Sequence, residues 1–573
     1  MQSILQYRHL KQHVKEQLTL GTQKAAALEH RPNAGVERYD SHGVQSDGDF
    51  ARPRPHDEEE SLTGDYHDHD DDEPPELHVA PIGQALGVHI RRRTDGEGGN
   101  GTGKVFVVYY MGKDDVTDAH SWTWNKRMMA TTIISAIGAV VGFASAIDSA
   151  ALAQYSKEFG VGDIVGSLTT ATYLIGFGFG SLFAGPVSEA MGRNPVYIVT
   201  LTIFMIWTMA AGLAPSIESQ VIFRFLAGFF GSTPLVCAGG SIADMWSPLE
   251  QIYTFPIFAI SSFMGPALGP VVGGYVGQSP HISWRWVEWI TLLMSGLTLA
   301  AVVFLLPESY SPVMLKWKAQ HLRALTGDDR YQAKLEIDNS SFTAMLATSL
   351  YRPFLLACTE PIIILVAIYL TVVYVILFTF LNGYTFIFTN VYGFSEGLTG
   401  LSFLGIAIGI IIAGCFVPLI YRMYKHDLAI AEESGFTSTA PESHLYFALF
   451  TAPAIPISLF WMGWTTNPSI SPWSPLIASV LFGYGTIGVF ISCYQYIISS
   501  YDIYSASALT SITFIRYVVA GALVEAAVPW YSALGVHWTL TILGVISALL
   551  VPVPFAFYTW GSTIRSKSKY AFA

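Results

Sequence analysis

Four ionisable residues stand inside stretches that are otherwise apolar. Asp148 lies in GFASAIDSAA, Arg224 in VIFRFLAGFFG, and Arg516 and Glu525 in TFIRYVVAGALVEAAVP. Charge held away from water is costly, so such residues are functional candidates by default. A carboxylate like Asp148, if it faces protein rather than lipid, can load and unload a proton near neutral pH. Arg224, like Asp148, is hard to dismiss as a bystander. These two are the proton-coupling candidates. Arg516 is about ten residues into its run, deep enough to line a cavity and near enough to the end to snorkel outward. Glu288 and Glu360 begin apolar runs and are expected at their edges, where water is in reach.

A second group stands where apolar runs end. GPVSEAMGRNP (185–195) carries Gly185, Glu189, Gly192 and Arg193 in a tight loop between two runs, and Asp244 ends another run. Opposite charges there can form ion pairs. A third group is small. GPALGPVVGG (265–274) repeats glycine at Gly265, Gly269 and Gly273 and interleaves Pro266, Pro270 and Gly274. Glycine and proline disfavour a helix in water. In lipid, glycine every fourth residue makes a smooth stripe that lets helix backbones touch. Gly400, Gly405, Gly409 and Gly414 form a similar stripe later in the chain, and the two stripes are expected to meet. Candidate cavity residues are Asn382, Tyr384 and Phe386 in FLNGYTFIF, Tyr494, Gln495 and Tyr496 in SCYQYII, and Arg516.

The elements that must position these residues follow from hydropathy. The chain has 573 residues, of which 51% are hydrophobic and only 13% charged. Residues 1–127 hold 15 Lys/Arg and 22 Asp/Glu, so the remainder is more apolar still. That remainder divides into twelve apolar runs, each near the ~20 residues that cross a bilayer. They begin near 128, 165, 195, 219, 252, 286, 361, 397, 445, 474, 507 and 536, six on each side of a polar segment at 307–359. The expected fold is an all-α polytopic membrane protein with twelve transmembrane helices in two six-helix halves. Residues 1–127 read as a disordered acidic cytoplasmic tail and 128–306 as the N-terminal bundle. Residues 307–359 read as a cytoplasmic linker with one or two short surface helices, 360–560 as the C-terminal bundle and 561–573 as a cytoplasmic C-terminus. With the N-terminus inside, the short cytoplasmic segments carry twelve Lys/Arg and the outer loops only Lys157 and Arg285. The positive-inside rule then puts both termini in the cytoplasm. The four cysteines show no metal or disulfide spacing, and no Walker loop cradles a phosphate. An enzyme is not expected, nor is a nucleic-acid partner.

Five segments carry a family resemblance. GPALGPVVGG is similar to the antiporter motif of the major facilitator superfamily, G-x-x-x-G-P-x-x-G-G, with Gly265, Gly269, Pro270, Gly273 and Gly274 at its fixed positions. GPVSEAMGRNP resembles that superfamily's loop motif: Gly185, Gly192 and Arg193 match, Glu189 stands for an aspartate, and Ala190 and Asn194 replace basic residues. RFLAGFFG resembles its fourth-span motif, with Arg224 in the arginine position. WRWVEWI (284–290) and PESYSPVMLKWKAQHLR (307–323) are similar to stretches of fungal twelve-span drug:proton antiporters. The resemblance implies two bundles rocking about a central site, a gate at Glu189, Arg193 and Asp244, a coupling role near Arg224, and export. Asp148 belongs to no fixed motif and is nominated by its apolar setting alone.

The expected function is proton-coupled export of small organic compounds (drugs, toxic secondary metabolites or polyamines). It needs no cofactor beyond the proton gradient, and its partners are a small-molecule substrate, protons and the lipid bilayer. A monomer in the plasma membrane is expected, with a vacuole-like organelle as second choice. Two other readings compete: movement of an endogenous metabolite such as an organic acid or glycolipid, and a non-transporting receptor that uses the acidic tail for docking.

Overall fold

The computed structural model describes residues 2–29, 88–92, 104–110, 115, 117–337, 342–436 and 439–571. Eleven continuous helical segments are long and apolar enough to cross a bilayer. The first six are span 1 (Trp124–Phe159), span 2 (Asp163–Met191), span 3 (Arg193–Gly212), span 4 (Ile217–Ala243), span 5 (Pro248–Gln278) and span 6 (Trp286–Leu305). Then come span 7 (Pro361–Tyr392), span 8 (Glu396–Glu433), span 9 (Pro441–Thr465) and span 10 (Trp473–Tyr501). The last segment, Ser505–Arg565, is 61 residues long, too long for one crossing at about 1.5 Å per residue. It breaks at Gly535, whose φ of 73° and ψ of 171° lie outside helical values. A left-handed φ of this kind suits glycine. The break separates span 11 from span 12 and restores the twelve expected from hydropathy.

Two bends place chemistry. Span 1 is α-helical to Ala146, tightens into a 3₁₀ turn over Ile147–Ala151 and resumes at Leu152. Asp148 sits in that turn, buried at 2% exposure. Span 5 runs through Pro256, Pro266 and Pro270 without leaving the helix, because neighbouring helices cover the carbonyls that proline frees.

The two halves meet along two seams. At one, span 2 lies on span 11: an added Cβ at Gly178 would stand 2.8 Å from Val518, and one at Gly521 2.8 Å from the Ala171 carbonyl oxygen. At the other, span 5 lies on span 8: a Cβ at Gly400 would be 2.3 Å from the Pro270 carbonyl oxygen, and one at Gly274 2.8 Å from that of Glu396. The expected contact between spans 5 and 8 therefore exists, but its residues need correction. The stripe Gly265, Gly269 and Gly273 faces span 1, where added Cβ atoms would meet Ala139, Ile147 and Phe143 backbone atoms at 2.4–3.0 Å. Gly405 and Gly409 face span 10. A stripe marks which face of a helix can be approached closely but does not name the neighbour.

The tail also needs correction at its two ends. Gln2–Glu29 is a helix, and its Leu10 and Val14 are buried with Leu315, Ala319 and Leu322 of the linker helix Ser311–Thr326. Strands β1 (Val88–Arg92) and β2 (Lys104–Val108) pair antiparallel, and β2 pairs parallel with β3 (Tyr331–Ala333). Tail and linker thus share a small apolar core. The acidic stretch 56–78 lies outside the described residues.

Candidate functional site

Spans 1, 4 and 6 bring three charges together inside the N-terminal bundle. Arg224 Nε stands 2.8 Å from Asp148 Oδ2, and Arg224 Nη1 3.6 Å from Glu288 Oε1. Arg224 Nη2 donates to the Ala144 carbonyl at 2.7 Å, just before the span 1 turn. The guanidinium also lies over the Tyr173 ring, 4.6 Å from its centroid. All three charged side chains are at most 2% exposed. Neither Glu288 oxygen has a hydrogen-bond partner. Glu288 was expected to snorkel at an edge. It points inward instead, because the 3₁₀ turn of span 1 and Arg224 of span 4 form its surroundings.

At the other end of the bundle the gate residues assemble around Arg193. Its Nε pairs with Asp244 Oδ2 at 3.0 Å and its Nη1 donates to Ser188 Oγ at 2.7 Å. Ser188 Oγ in turn donates to the Gly185 carbonyl at 2.9 Å. Gly192 has φ of 92°, and a Cβ there would stand 2.8 Å from Glu308 Oε2. Glu308 accepts the backbone N–H groups of Arg193 at 2.9 Å, Asn194 at 3.1 Å and Tyr310 at 2.9 Å. Burial pushes the Glu308 carboxyl above the usual range, against the pull of those N–H groups. Glu308 is absent from the expected gate, although it stands in the quoted stretch PESYSPVMLKWKAQHLR. Glu189 is half-buried nearby, but the ion pair of Arg193 runs to Asp244.

The N-terminal helix reaches this gate. Ser3 Oγ donates to Asn194 Oδ1 at 2.7 Å, and Gln6 exchanges hydrogen bonds with the Glu308 backbone at 3.1 and 2.9 Å. Beside it, Lys318 Nζ pairs with Asp115 Oδ2 at 3.1 Å. Burial lowers the Lys318 pKa, and the Asp115 charge opposes that shift.

Between the halves lie two small cavities. One, of about 20 Å³, is lined by Val141, Phe177, Phe263, Tyr374, Phe378 and Tyr517 among others. The other, too tight to admit a water, includes Ser149, Tyr155, Ser167 and Asn382 in its lining. Of the expected cavity residues, Asn382 lines the smaller one. Tyr494 and Arg516 stand beside the larger one: Arg516 lies 4.1 Å from the Tyr374 ring centroid and 5.5 Å from that of Tyr494. Gln495 Nε2 reaches across the halves to the Gln251 carbonyl at 3.3 Å. Tyr384, Phe386 and Tyr496 line neither cavity. Tyr384 donates to Ser479 Oγ at 2.7 Å, Phe386 stacks on Tyr531 and Tyr496 on Phe557. Tyr496 is two positions from Tyr494, so it leaves the helix on nearly the opposite side. Tyr374 and Tyr517 were not anticipated. Tyr517 follows Arg516 directly, and its ring could have been sought there. Glu360, expected at an edge, is 2% exposed and accepts hydrogen bonds from Tyr501 at 3.0 Å and from Ser568. Glu525 accepts from Ser167 Oγ at 2.9 Å across the span 2–span 11 seam.

Two six-helix bundles, closed on each other along paired seams with buried ion pairs inside one of them, have the build of a polytopic membrane transporter. Comparison with known proteins agrees: a profile of the Major Facilitator Superfamily matches residues 134–525, and the chain belongs to that superfamily. It is 50% identical over 483 residues to the MFS-type transporter kojT of Aspergillus oryzae, covering 84% of this chain and 86% of that one. It is 34% identical over 470 residues to the citrinin biosynthesis cluster MFS transporter mrr1 of Monascus ruber, covering 82% and 93%. In fold it is similar to the proton:xylose symporter XylE, with a TM-score of 0.56 at 15% identity over 76% of this chain and 97% of that one.

Proposed function

We propose that this chain is a proton-coupled exporter of small organic secondary metabolites. The observation that carries the reading is the buried group Asp148–Arg224–Glu288. Two carboxylates around one guanidinium leave one negative charge uncompensated when both are ionised. An uncompensated charge in a site this dry is the costly state, and one proton neutralises it. That proton is the one exchanged. It is released when rocking of the bundles opens the site to water on one side, and regained on the other.

The antiporter-type stripe of span 5 supports export, and the relatives named for biosynthesis clusters support a small organic product as cargo. The Lys/Arg distribution supports cytoplasmic termini, with the Arg193–Asp244–Glu308 gate on the cytoplasmic side and the Asp148 group toward the outer side. The plasma membrane is the host this reading assigns, and a monomer suffices because each half supplies one wall of the path.

Sealed vesicles with an imposed pH gradient test the reading. Cargo accumulation that collapses when the gradient is dissipated is the expected result. Movement indifferent to the gradient would replace the exporter with a facilitator.

A further inference from the structure

Arg516 is a buried cation of a different kind from Arg224. It lies about 16 Å along span 11 from Ser505, near the middle of a ~30 Å hydrocarbon core. It is 2% exposed, and its Nε and Nη1 have no hydrogen-bond partner. Arg224 has two carboxylates beside it, whereas no carboxylate pairs with Arg516 among the described residues. Its surroundings are rings: the centroids of Tyr374, Tyr517, Phe490 and Tyr494 lie 4.1, 5.0, 5.2 and 5.5 Å away. Ring faces hold a guanidinium in place, but they bring no negative charge and leave Nε and Nη1 without an acceptor. A buried guanidinium without an anion is strongly disfavoured.

Two of those rings form the wall of the larger cavity. Tyr374 and Tyr517 line it from the C-terminal bundle, opposite Phe177 and Phe263 of the N-terminal bundle. Phe177 stacks on Tyr517 across the interface, with centroids 4.1 Å apart and planes at 26°. The faces therefore meet as flat surfaces that a flat ligand can part. The closed cavity, of about 20 Å³, has room for about one water, so a one-ring ligand enters only as the stacked faces part.

We propose that Arg516, Tyr374 and Tyr517 form a binding site for a small planar organic anion. The ligand is a conjugated carboxylate or the ionised form of an acidic phenol or enol. Its oxygens take the open donors of Arg516, and its ring lies between Tyr517 and Phe177. A cationic ligand is disfavoured at this site because Arg516 repels it. The proposal rests on the exporter reading and adds the charge and shape of the cargo.

The test uses the full chain in lipid nanodiscs and three one-ring probes of similar size: benzoate, benzamide and benzylammonium. Ligand-induced change in melting temperature reports binding, with 4-nitrophenolate as a second anion to separate carboxylate from phenolate recognition. Both anions, or one of them, should bind at least tenfold more tightly than benzamide, and benzylammonium more weakly still. Arg516→Gln should remove that preference, so that benzoate binds no more tightly than benzamide. If that variant does not fold, the charge series on the unaltered chain decides the matter. Equal binding of benzoate, 4-nitrophenolate and benzamide overturns the site. The same compounds, offered to sealed vesicles, separate this proposal from the exporter reading. Selective anion binding without gradient-driven movement upholds the site and overturns export. Gradient-driven movement without charge preference overturns the site and leaves export standing.

Discussion

Gly273 of span 5 lies against the carbonyl oxygen of Ile147, the residue before Asp148; a Cβ on Gly273 would stand 2.4 Å from it. Gly269 approaches the same turn, with Ile147 N at 3.0 Å from its added Cβ. The glycine stripe is therefore the floor on which the 3₁₀ turn carrying Asp148 rests. Gly273→Ala should push that turn away and separate Asp148 from Arg224. Overpacking of this kind costs about 1–3 kcal/mol. Gradient-driven transport should fall at least tenfold while the protein still reaches the membrane; unchanged transport would show that the turn tolerates displacement.

Asp148→Asn and Glu288→Gln each remove one negative charge from the group around Arg224. Either variant should lose accumulation against a gradient, while exchange of labelled for unlabelled cargo continues, since exchange needs no net proton movement. Measuring both modes in the same vesicles separates a coupling role from a structural one. Retained accumulation in both variants would remove the group from the coupling mechanism.

Arg193→Ala strips Asp244 of its cation and Ser188 of a donor. Breaking a buried pair costs about 3–5 kcal/mol; with Arg193 and Asp244 side chains 12% and 18% exposed, the lower end applies. Cys237 is buried beside this gate and its thiol reaches the Ala184 carbonyl at 3.4 Å. With the exposed Cys358 and Cys415 replaced by serine, maleimide labelling of Cys237 should rise several-fold in Arg193→Ala.

Glu308 gives the gate a pH dependence with a definite sign. Folding raises its pKa above the ordinary 4.5 through burial, so the folded chain holds that proton more tightly than the unfolded one. The resulting stability is fully present below 4.5 and is lost as pH rises through the folded value. Glu308→Gln cannot titrate. The melting temperature of the unaltered chain relative to Glu308→Gln should therefore be higher at pH 4 than at pH 7.5. A constant difference across that range would mean that burial does not shift Glu308.

Removal of residues 2–29 should loosen the same gate from outside. It deletes the Ser3–Asn194 and Gln6–Glu308 hydrogen bonds and uncovers Leu315, Ala319 and Leu322. Burial of Leu10 and Val14 alone contributes about 1.5–3 kcal/mol each. A lower melting temperature and faster labelling of Cys237 are the expected results, where a solvated tail would change neither.

Much of this was legible from residue types alone. Hydropathy is a property of each residue summed over a window, so the twelve spans, their six-and-six division and the isolated charges Asp148, Arg224 and Arg516 could be read directly from the sequence. Glycine at every fourth position announced a close helix contact for the same reason: it needs only the period of one helix. Tertiary structure decided what each of these features touches. The rotation of span 5 turned the glycine stripe toward span 1 and left Pro270 and Gly274 to meet span 8. The 3₁₀ turn in span 1 swung Asp148 onto Arg224, and the packing of span 6 drew Glu288 from an expected edge into the same group. The N-terminal helix found its place only because the linker helix offered Leu315, Ala319 and Leu322 to cover. Helical period fixes which residues share a face; which neighbour that face meets is set by the packing of helices far apart in the chain.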